Sequence, residues 1–347
     1  MLSKIIANLY YWKCFFFDTR SFTQEVILGT RVLSEYEWKR DIILSYLSSN
    51  NKWSRRKLYK YKQKKTVKSI ENAEISVLIS LYKSEKFLRS LIQNIFEQTY
   101  FNKSEFIFVA VEPNKKELKI LKQLCSLNKN CFLIISEKKI SIYEAWNKAI
   151  DQSTANLLTN MNVDDLRSPS SLEIQVNFMR KNKNVEVGYQ DILFYRDLKS
   201  SWQYIREYNF KTELPEVSVA CLAWLGINPP HNAPVWRKKL HSLYGYFDSA
   251  LLSAGDYEFW LRICIEGARF QKMEEAHVGY YVNPTGLSTK IDSQSSKEEK
   301  KIQEDYKNKF MNIMKIPQPF GENHNFEQMC DFLGDTKLKE YFRKINK

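Results

Sequence analysis

Two neighbouring carboxylates, Asp164 and Asp165, follow a short apolar run at residues 157–161 of a 347-residue chain. Acids at the carboxyl end of a strand can hold a hard divalent cation through oxygen, and that cation can hold a diphosphate. A third acid, Asp256, stands in Gly255-Asp256-Tyr257-Glu258-Phe259-Trp260-Leu261-Arg262, at the head of an apolar helix. A carboxylate on a rigid helix start can take a proton from an incoming hydroxyl. Glu258 is a second candidate base, but two residues into a helix it points elsewhere. The bland alternative for all three is an acidic turn and a helix cap.

For these acids to serve one reaction, the intervening elements must bring them together. Residues 75–79 form an apolar run of strand length, as in a strand buried on both faces. Phe87, Leu88, Leu91, Ile92, Ile95 and Phe96 recur at helical spacing behind Ser84, a candidate cap. Residues 106–111 and 131–135 read as strands, with Leu118, Leu121 and Leu124 on a helix between them. Ile142, Ala145, Trp146, Ala149 and Ile150 mark a further helix before the strand 157–161. This alternation predicts an α/β fold with a mostly parallel, Rossmann-like sheet covered by helices. Such sheets bind ligands at the carboxyl ends of their strands, where Tyr82, Glu112 and the Asp164-Asp165 pair all fall.

Beyond Asp165, Ser168-Pro169-Ser170-Ser171 opens a helix to about Lys181, since proline suits a first turn. Residues 185–195 and 202–208 have the composition of strands, and the tail to Lys347 reads as helical. The predicted organisation is a helical, basic and aromatic extension at 1–74, a main domain at 75–290 and a helical tail at 291–347.

Composition narrows the function. Apolar residues make up 44% of the chain, enough for a sizeable core, which argues against global disorder. The first strand runs into Ser80-Leu81-Tyr82-Lys83 rather than a Gly-rich fingerprint, and no Walker-type loop occurs, so nicotinamide, flavin and P-loop chemistry are not predicted. With only 10 glycines, a diphosphate needs a cation or basic side chains. The 6 cysteines form no C-x-x-C pair and the 4 histidines no zinc spacing, the pattern of reduced thiols in a cytoplasmic protein. Lys4 and Lys13 interrupt the apolar start, no cleavage site comes after it, and no run is long enough to span a membrane.

Net charge is +13, and residues 51–70 hold Lys52, Arg55, Arg56, Lys57, Lys60, Lys62, Lys64, Lys65 and Lys68 without an acid. A solvated face or linker is the plain reading. The sharper one is peripheral contact with the inner face of the cell membrane through residues 1–68. Nucleic acid is not a predicted partner, because no base-reading module accompanies the charge.

Several blocks in order resemble glycosyltransferase family 2, of bacterial type, on the GT-A fold. They are Val77-Leu78-Ile79-Ser80-Leu81-Tyr82-Lys83, Leu91 to Tyr100, Tyr143-Glu144-Ala145-Trp146-Asn147-Lys148-Ala149-Ile150, and Asn162-Val163-Asp164-Asp165. His231 to Arg237 with Tyr244 to Asp248, and Gly255 to Arg262, complete the likeness. The resemblance implies an inverting transfer of sugar from a UDP- or GDP-sugar to a hydroxyl of a saccharide or lipid-linked acceptor, in cell-surface polysaccharide or glycolipid synthesis. By the same resemblance Asp164 and Asp165 hold Mg²⁺ or Mn²⁺ and Asp256 is the general base. Tyr82, Glu112, Asn147 and Asn162 face the nucleotide, and His231, Arg237 and Trp260 the donor or acceptor. Trp260 also fits an apolar stripe. Asn162 stands where the family carries an acid, and Ser80, Leu81 and Lys83 replace its usual opening loop. Two rivals stand beside this reading: a nucleotidyltransferase, which would show a Gly-rich first loop absent here, and a non-catalytic scaffold, which Asn162 suggests.

Overall fold

The computed structural model describes residues 27–28, 31–32, 72–197, 202–208, 211–282, 294–313 and 326–345. Within residues 1–71 of the expected helical extension the described residues are two short antiparallel strands, β1 (Ile27–Leu28) and β2 (Arg31–Val32). Helix was the expectation there. Ile27 and Val32, both β-branched, instead stand opposite each other in the ladder. The basic run at 51–70 lies outside the described residues.

The main sheet begins with β3 (Ile75–Tyr82), α1 (Leu88–Phe96), β4 (Ser104–Val111), α2 (Lys115–Leu127), β5 (Cys131–Ser136), α3 (Ile142–Gln152) and β6 (Leu157–Asn160). After these come β7 (Leu166–Arg167), α4 (Ser171–Lys181), β8 (Val187–Tyr189), β9 (Leu193–Tyr195), α5 (Trp202–Tyr208) and α6 (Val219–Ala223). The chain continues through β10 (Val235–Arg237), α7 (Lys239–Tyr244), α8 (Gly255–Ile265), β11 (Phe270–Lys272) and β12 (Val278–Tyr281). It closes with α9 (Gln294–Ile313), α10 (Phe326–Leu333) and α11 (Thr336–Ile345).

Strand order in the large sheet is β11-β8-β10-β6-β3-β4-β5, and only β10 runs against the rest. Period-two alternation divides the core. Val77, Ile79 and Leu81 pack with Leu91, Ile92 and Leu121 on one face, while Leu78, Ile107 and Val109 pack with Trp146, Phe259 and Trp260 on the other. Each such buried side chain contributes roughly 1.5–3 kcal/mol of transfer free energy, which makes the sheet a rigid platform. A second, three-stranded sheet, β7-β12-β9, stands beside it.

Three local expectations are corrected. Ser84 does not cap α1: its N–H and hydroxyl both donate to Glu117, and the helix starts four residues later without a side-chain cap. Residues 202–208 are helix rather than strand, because Trp202 and Ile205 recur at helical spacing and pack on Leu166, Leu193 and Tyr195. The expected strand at 185–195 divides into β8 and β9, which join different sheets.

Candidate active site

The parallel register sets the level of the site. Tyr82 pairs with Val111, and Val111 with Ser136, so β3, β4 and β5 end together. Asn160 lies opposite Leu78, and the Met161 N–H donates to the Leu78 carbonyl at 2.9 Å. The chain therefore leaves β6 four residues below Tyr82 and carries Asp164 and Asp165 up to the carboxyl edge. Asn94 and Gln98, on and just after α1, fasten the backbone beyond Asp165. Asn94 exchanges hydrogen bonds with the Arg167 backbone at 2.8 Å each way, and Gln98 donates to the Ser168 carbonyl at 3.0 Å.

Asp165 is buried, with one hydrogen bond at each oxygen: Oδ1 accepts from the Tyr281 N–H at 2.9 Å and Oδ2 from the Asn162 amide at 2.8 Å. Burial first, and the like charge of Asp164 second, push its pKa up to about 7. Asn232 lies near enough to favour the charged carboxylate, although its amide lies outside good hydrogen-bonding geometry. Asp164 is half-buried, and its carbonyl accepts from the Tyr195 hydroxyl.

Beneath the pair lies Arg167, which is 1% exposed. It donates to Thr159 (2.7 Å), Ser171 (3.1 Å) and Gln175 (3.2 Å). Burial lowers its pKa to about 9, and the charge of Asp165 opposes that shift.

A divalent cation suits this donor set. Two adjacent carboxylates, one of them raised in pKa by burial and by its neighbour's like charge, are relieved by a cation that takes its remaining ligands from phosphate and water. Among the described residues no group of three acids, histidines or cysteines forms a complete cage. Asn162 serves as a clamp, since its amide nitrogen is turned to Asp165.

Asp256 sits one residue into α8 and is 8% exposed. Tyr143, in the first turn of α3, donates its hydroxyl to Oδ1 at 2.9 Å, and Asn228 donates its amide to Oδ2 at 3.0 Å. Burial holds the Tyr143 pKa well above its usual value, so the phenol remains a donor. Gly255 permits this approach: a Cβ there would meet the Tyr143 ring at 2.7–2.8 Å.

One short arch joins the acids. Asn228, which binds Asp256, is followed by the 3-10 turn Pro229–His231 and then by Asn232, beside Asp165. Asn228 and Asn232 are four residues apart, so the arch spans at most about 14 Å between them. Two prolines stiffen it, and the His231 ring lies 5.5 Å from that of Tyr280, next to the Tyr281 that binds Asp165.

At the ends of β3 and β4, Lys83 and Glu112 adopt left-handed conformations with φ of 49° and 46°, and Ala233, just after the arch, has φ 51°. Non-glycine residues enter this region only when their surroundings compel it. Tyr82 is 40% exposed at this edge, with the ammonium groups of Lys83 and Lys139 at 5.2 and 5.7 Å from its ring. Glu112 is exposed, its N–H held by the Ser136 carbonyl at 2.8 Å.

The glycosyl transferase family 2 profile matches residues 76–243. These residues belong to glycosyl transferase family 2, and the chain is an enzyme of the glycosyltransferase class. An uncharacterized glycosyltransferase of Methanocaldococcus jannaschii is 24% identical over 220 residues, covering 60% of this chain and 70% of that protein. The amylovoran biosynthesis glycosyltransferase AmsE of Erwinia amylovora is 25% identical over 190 residues, covering 54% and 68%. In fold, the chain is similar to S. aureus TarS 1–349 crystallised with UDP-GlcNAc, at a TM-score of 0.51 and 17% identity over 74% of this chain and 75% of that one. The architecture is GT-A-like.

Within this glycosyltransferase the residues singled out by sequence divide into two groups. Asp164, Asp165, Asn162, Asp256 and His231 gather around the arch, and Tyr82 and Glu112 line the adjoining strand ends. Arg237 does not join them. It pairs with Leu157 at the opposite end of β6, and its guanidinium donates to the carbonyls of Met179, Asn182, Lys183 and Val185 just where α4 ends. Trp260 is 1% exposed and packs among Trp236, Phe247 and Phe270. Asn147 spends its amide on the backbone of Phe247, at 2.8 and 3.1 Å, and so shapes the segment leading toward α8.

Glu258 is bound to Arg262 at 2.7 and 3.0 Å. Sequence reasoning does not single out Arg167, Asn228, or Tyr143 as a partner of Asp256. The one local signal for Arg167 is a cation two residues after an acid pair.

Proposed function

We propose that this chain transfers a sugar from a nucleoside-diphosphate donor to an acceptor hydroxyl with inversion, Asp256 acting as general base. The observation that carries the reading is the arch 228–232, whose Asn228 binds Asp256 at one end and whose Asn232 lies beside Asp165 at the other. In the step, an Asp256 oxygen takes the acceptor proton as the acceptor oxygen bonds to the anomeric carbon. The bond from that carbon to the phosphate oxygen breaks, and the nucleoside diphosphate leaves with its electron pair. Tyr143 and Asn228 each occupy only part of the capacity of the Asp256 carboxylate and orient what remains.

Asp164 and Asp165 would hold Mg²⁺ or Mn²⁺, which supplies charge neutralisation to the departing diphosphate. Tyr82 and Glu112 receive the nucleobase. Lys83 and Lys139 add positive charge at the same edge. TarS bound to UDP-GlcNAc, on a similar fold, supports a nucleotide-sugar donor. The amylovoran relative supports surface polysaccharide as the class of product.

The test is a screen of nucleotide sugars by melting temperature with Mn²⁺ present, followed by transfer assays. Asp256→Asn should keep the donor-induced shift while transfer falls by about 10³-fold or more, and Asp164→Ala should lose both. Full transfer by Asp256→Asn rules out the assignment of the base.

A further inference from the structure

The C-terminal helices lie beyond the family-matched residues 76–243, yet α9 reaches the helix that carries Asp256. Glu298, near the start of α9, accepts from three successive peptide N–H groups. They are those of Leu252 (3.1 and 3.2 Å to its two oxygens), Ser253 (3.0 Å) and Ala254 (3.2 Å). These residues run directly into Gly255 and Asp256, and α8 has no side-chain cap from its own N-cap residue, Ala254.

Peptide N–H groups entering a helix need an acceptor. A carboxylate can gather several at once, and its charge complements the positive end of the helix. Apolar packing does not replace it here, since the Leu252 side chain is 53% exposed. Farther along α9, Gln303 lies against Gly226 and reaches Tyr257, Tyr306 donates to Glu258, and Ile302 enters the core with Phe259 and Trp260. Helix α9 thus grips α8 along its length, and Glu298 is the contact at the end that carries the acid.

We propose that Glu298 is a positioning residue for the transfer: by clamping the N–H groups of 252–254 it sets the orientation of Asp256 toward the acceptor hydroxyl. The inference rests on Asp256 being the base. Glu298 itself touches no substrate. A misplacement of about 1 Å from a distant change can cost on the order of 10²-fold in rate, so loss of the clamp should appear in turnover rather than in donor binding.

The experiment compares the full chain with Glu298→Ala, Glu298→Gln and Ile302→Val. It reads transfer kinetics, melting temperature and amide hydrogen exchange over residues 252–256. Glu298→Ala should exchange faster there and lose about 10- to 100-fold in kcat, with donor KM within about twofold of the parent. Glu298→Gln, which keeps an acceptor oxygen without the charge, should fall between. Ile302→Val should lower the melting temperature and leave kcat unchanged, which separates positioning from mere destabilisation. The proposal is overturned by unchanged exchange at 252–256, by a Glu298→Ala kcat within about twofold of the parent, or by an equal loss in Ile302→Val. A parent chain whose transfer is indistinguishable from that of Asp256→Asn would instead remove the assignment of the base, and the role of Glu298 with it.

Discussion

At the scale of single residues, the aromatic core behind α8 contains a titratable group with a readable signature. His241 receives a hydrogen bond from the Trp236 indole at Nε2 (2.9 Å), has Nδ1 3.2 Å from the Gly245 carbonyl, and stacks on Phe259 at 4.8 Å. Those contacts describe a neutral ring protonated at Nδ1, and burial pulls its pKa down to about 4. Below pH 6.5 the unfolded chain takes up a proton that the native ring refuses. The stabilisation is therefore complete above pH 6.5 and is lost as pH falls toward and through 4. Between pH 7.5 and 5.0 the parent should lose about 2 kcal/mol that His241→Gln does not. Urea titrations of both proteins at the two pH values decide the matter, and equal losses would exclude the linkage. The same comparison of environments separates the acids: Asp165 is enclosed and near neutrality, whereas Asp256 is held by two neutral donors.

At the scale of elements, the contact between α3 and α8 depends on a missing side chain. Helix propensity alone would favour Gly255→Ala by about 1 kcal/mol. Packing opposes it, because the added Cβ would meet a Tyr143 ring that is itself wedged against Trp146 at 5.5 Å and Phe247 at 6.0 Å. Overpacking of this kind costs about 1–3 kcal/mol, so the substitution should destabilise and also move Asp256 away from the Tyr143 hydroxyl. The expected outcome is a lower urea midpoint together with at least a tenfold fall in transfer; a more stable variant with normal transfer would refute it. Similar logic explains the stretch Leu91 to Tyr100. Its Asn94 and Gln98 hold the backbone after Asp165, a positioning task invisible in a helical periodicity. At its amino end, α2 is tied to the first loop through Glu117, which completes the Asn114 capping box and also binds Ser84.

At the scale of the whole molecule, charge is the dominant property outside the site. The net charge is +13, and no helix among the described residues is long and apolar enough to cross a membrane. The run of lysines and arginines at 51–70 predicts attraction to anionic lipid. The intact chain should sediment with vesicles containing phosphatidylserine at low salt and be released as the Debye length shrinks to about 3 Å near 1 M salt. A variant lacking residues 51–70 should stay in the supernatant under both conditions; equal sedimentation of the two chains would remove the membrane reading.

Much of this glycosyltransferase is legible from order and period alone. Apolar alternation and helical spacing are local properties, so β3 through β6 and their helices follow from short windows of sequence. The carboxyl edge follows from the direction of parallel strands, and with it the level of Tyr82, Glu112 and Asp164. Partners are another matter. Tyr143 and Asp256 are 113 residues apart, and the Tyr281 N–H that holds Asp165 is 116 residues away, so neither contact leaves a local trace. The same holds for Arg237, whose motif placed it with the ligand groups although β10 enters the sheet antiparallel and delivers it to the far edge. The amino acids themselves determined which groups could do chemistry and which elements would carry them. Only the packing of distant segments, through shape and hydrogen bonds that no short window contains, decided which of those groups meet.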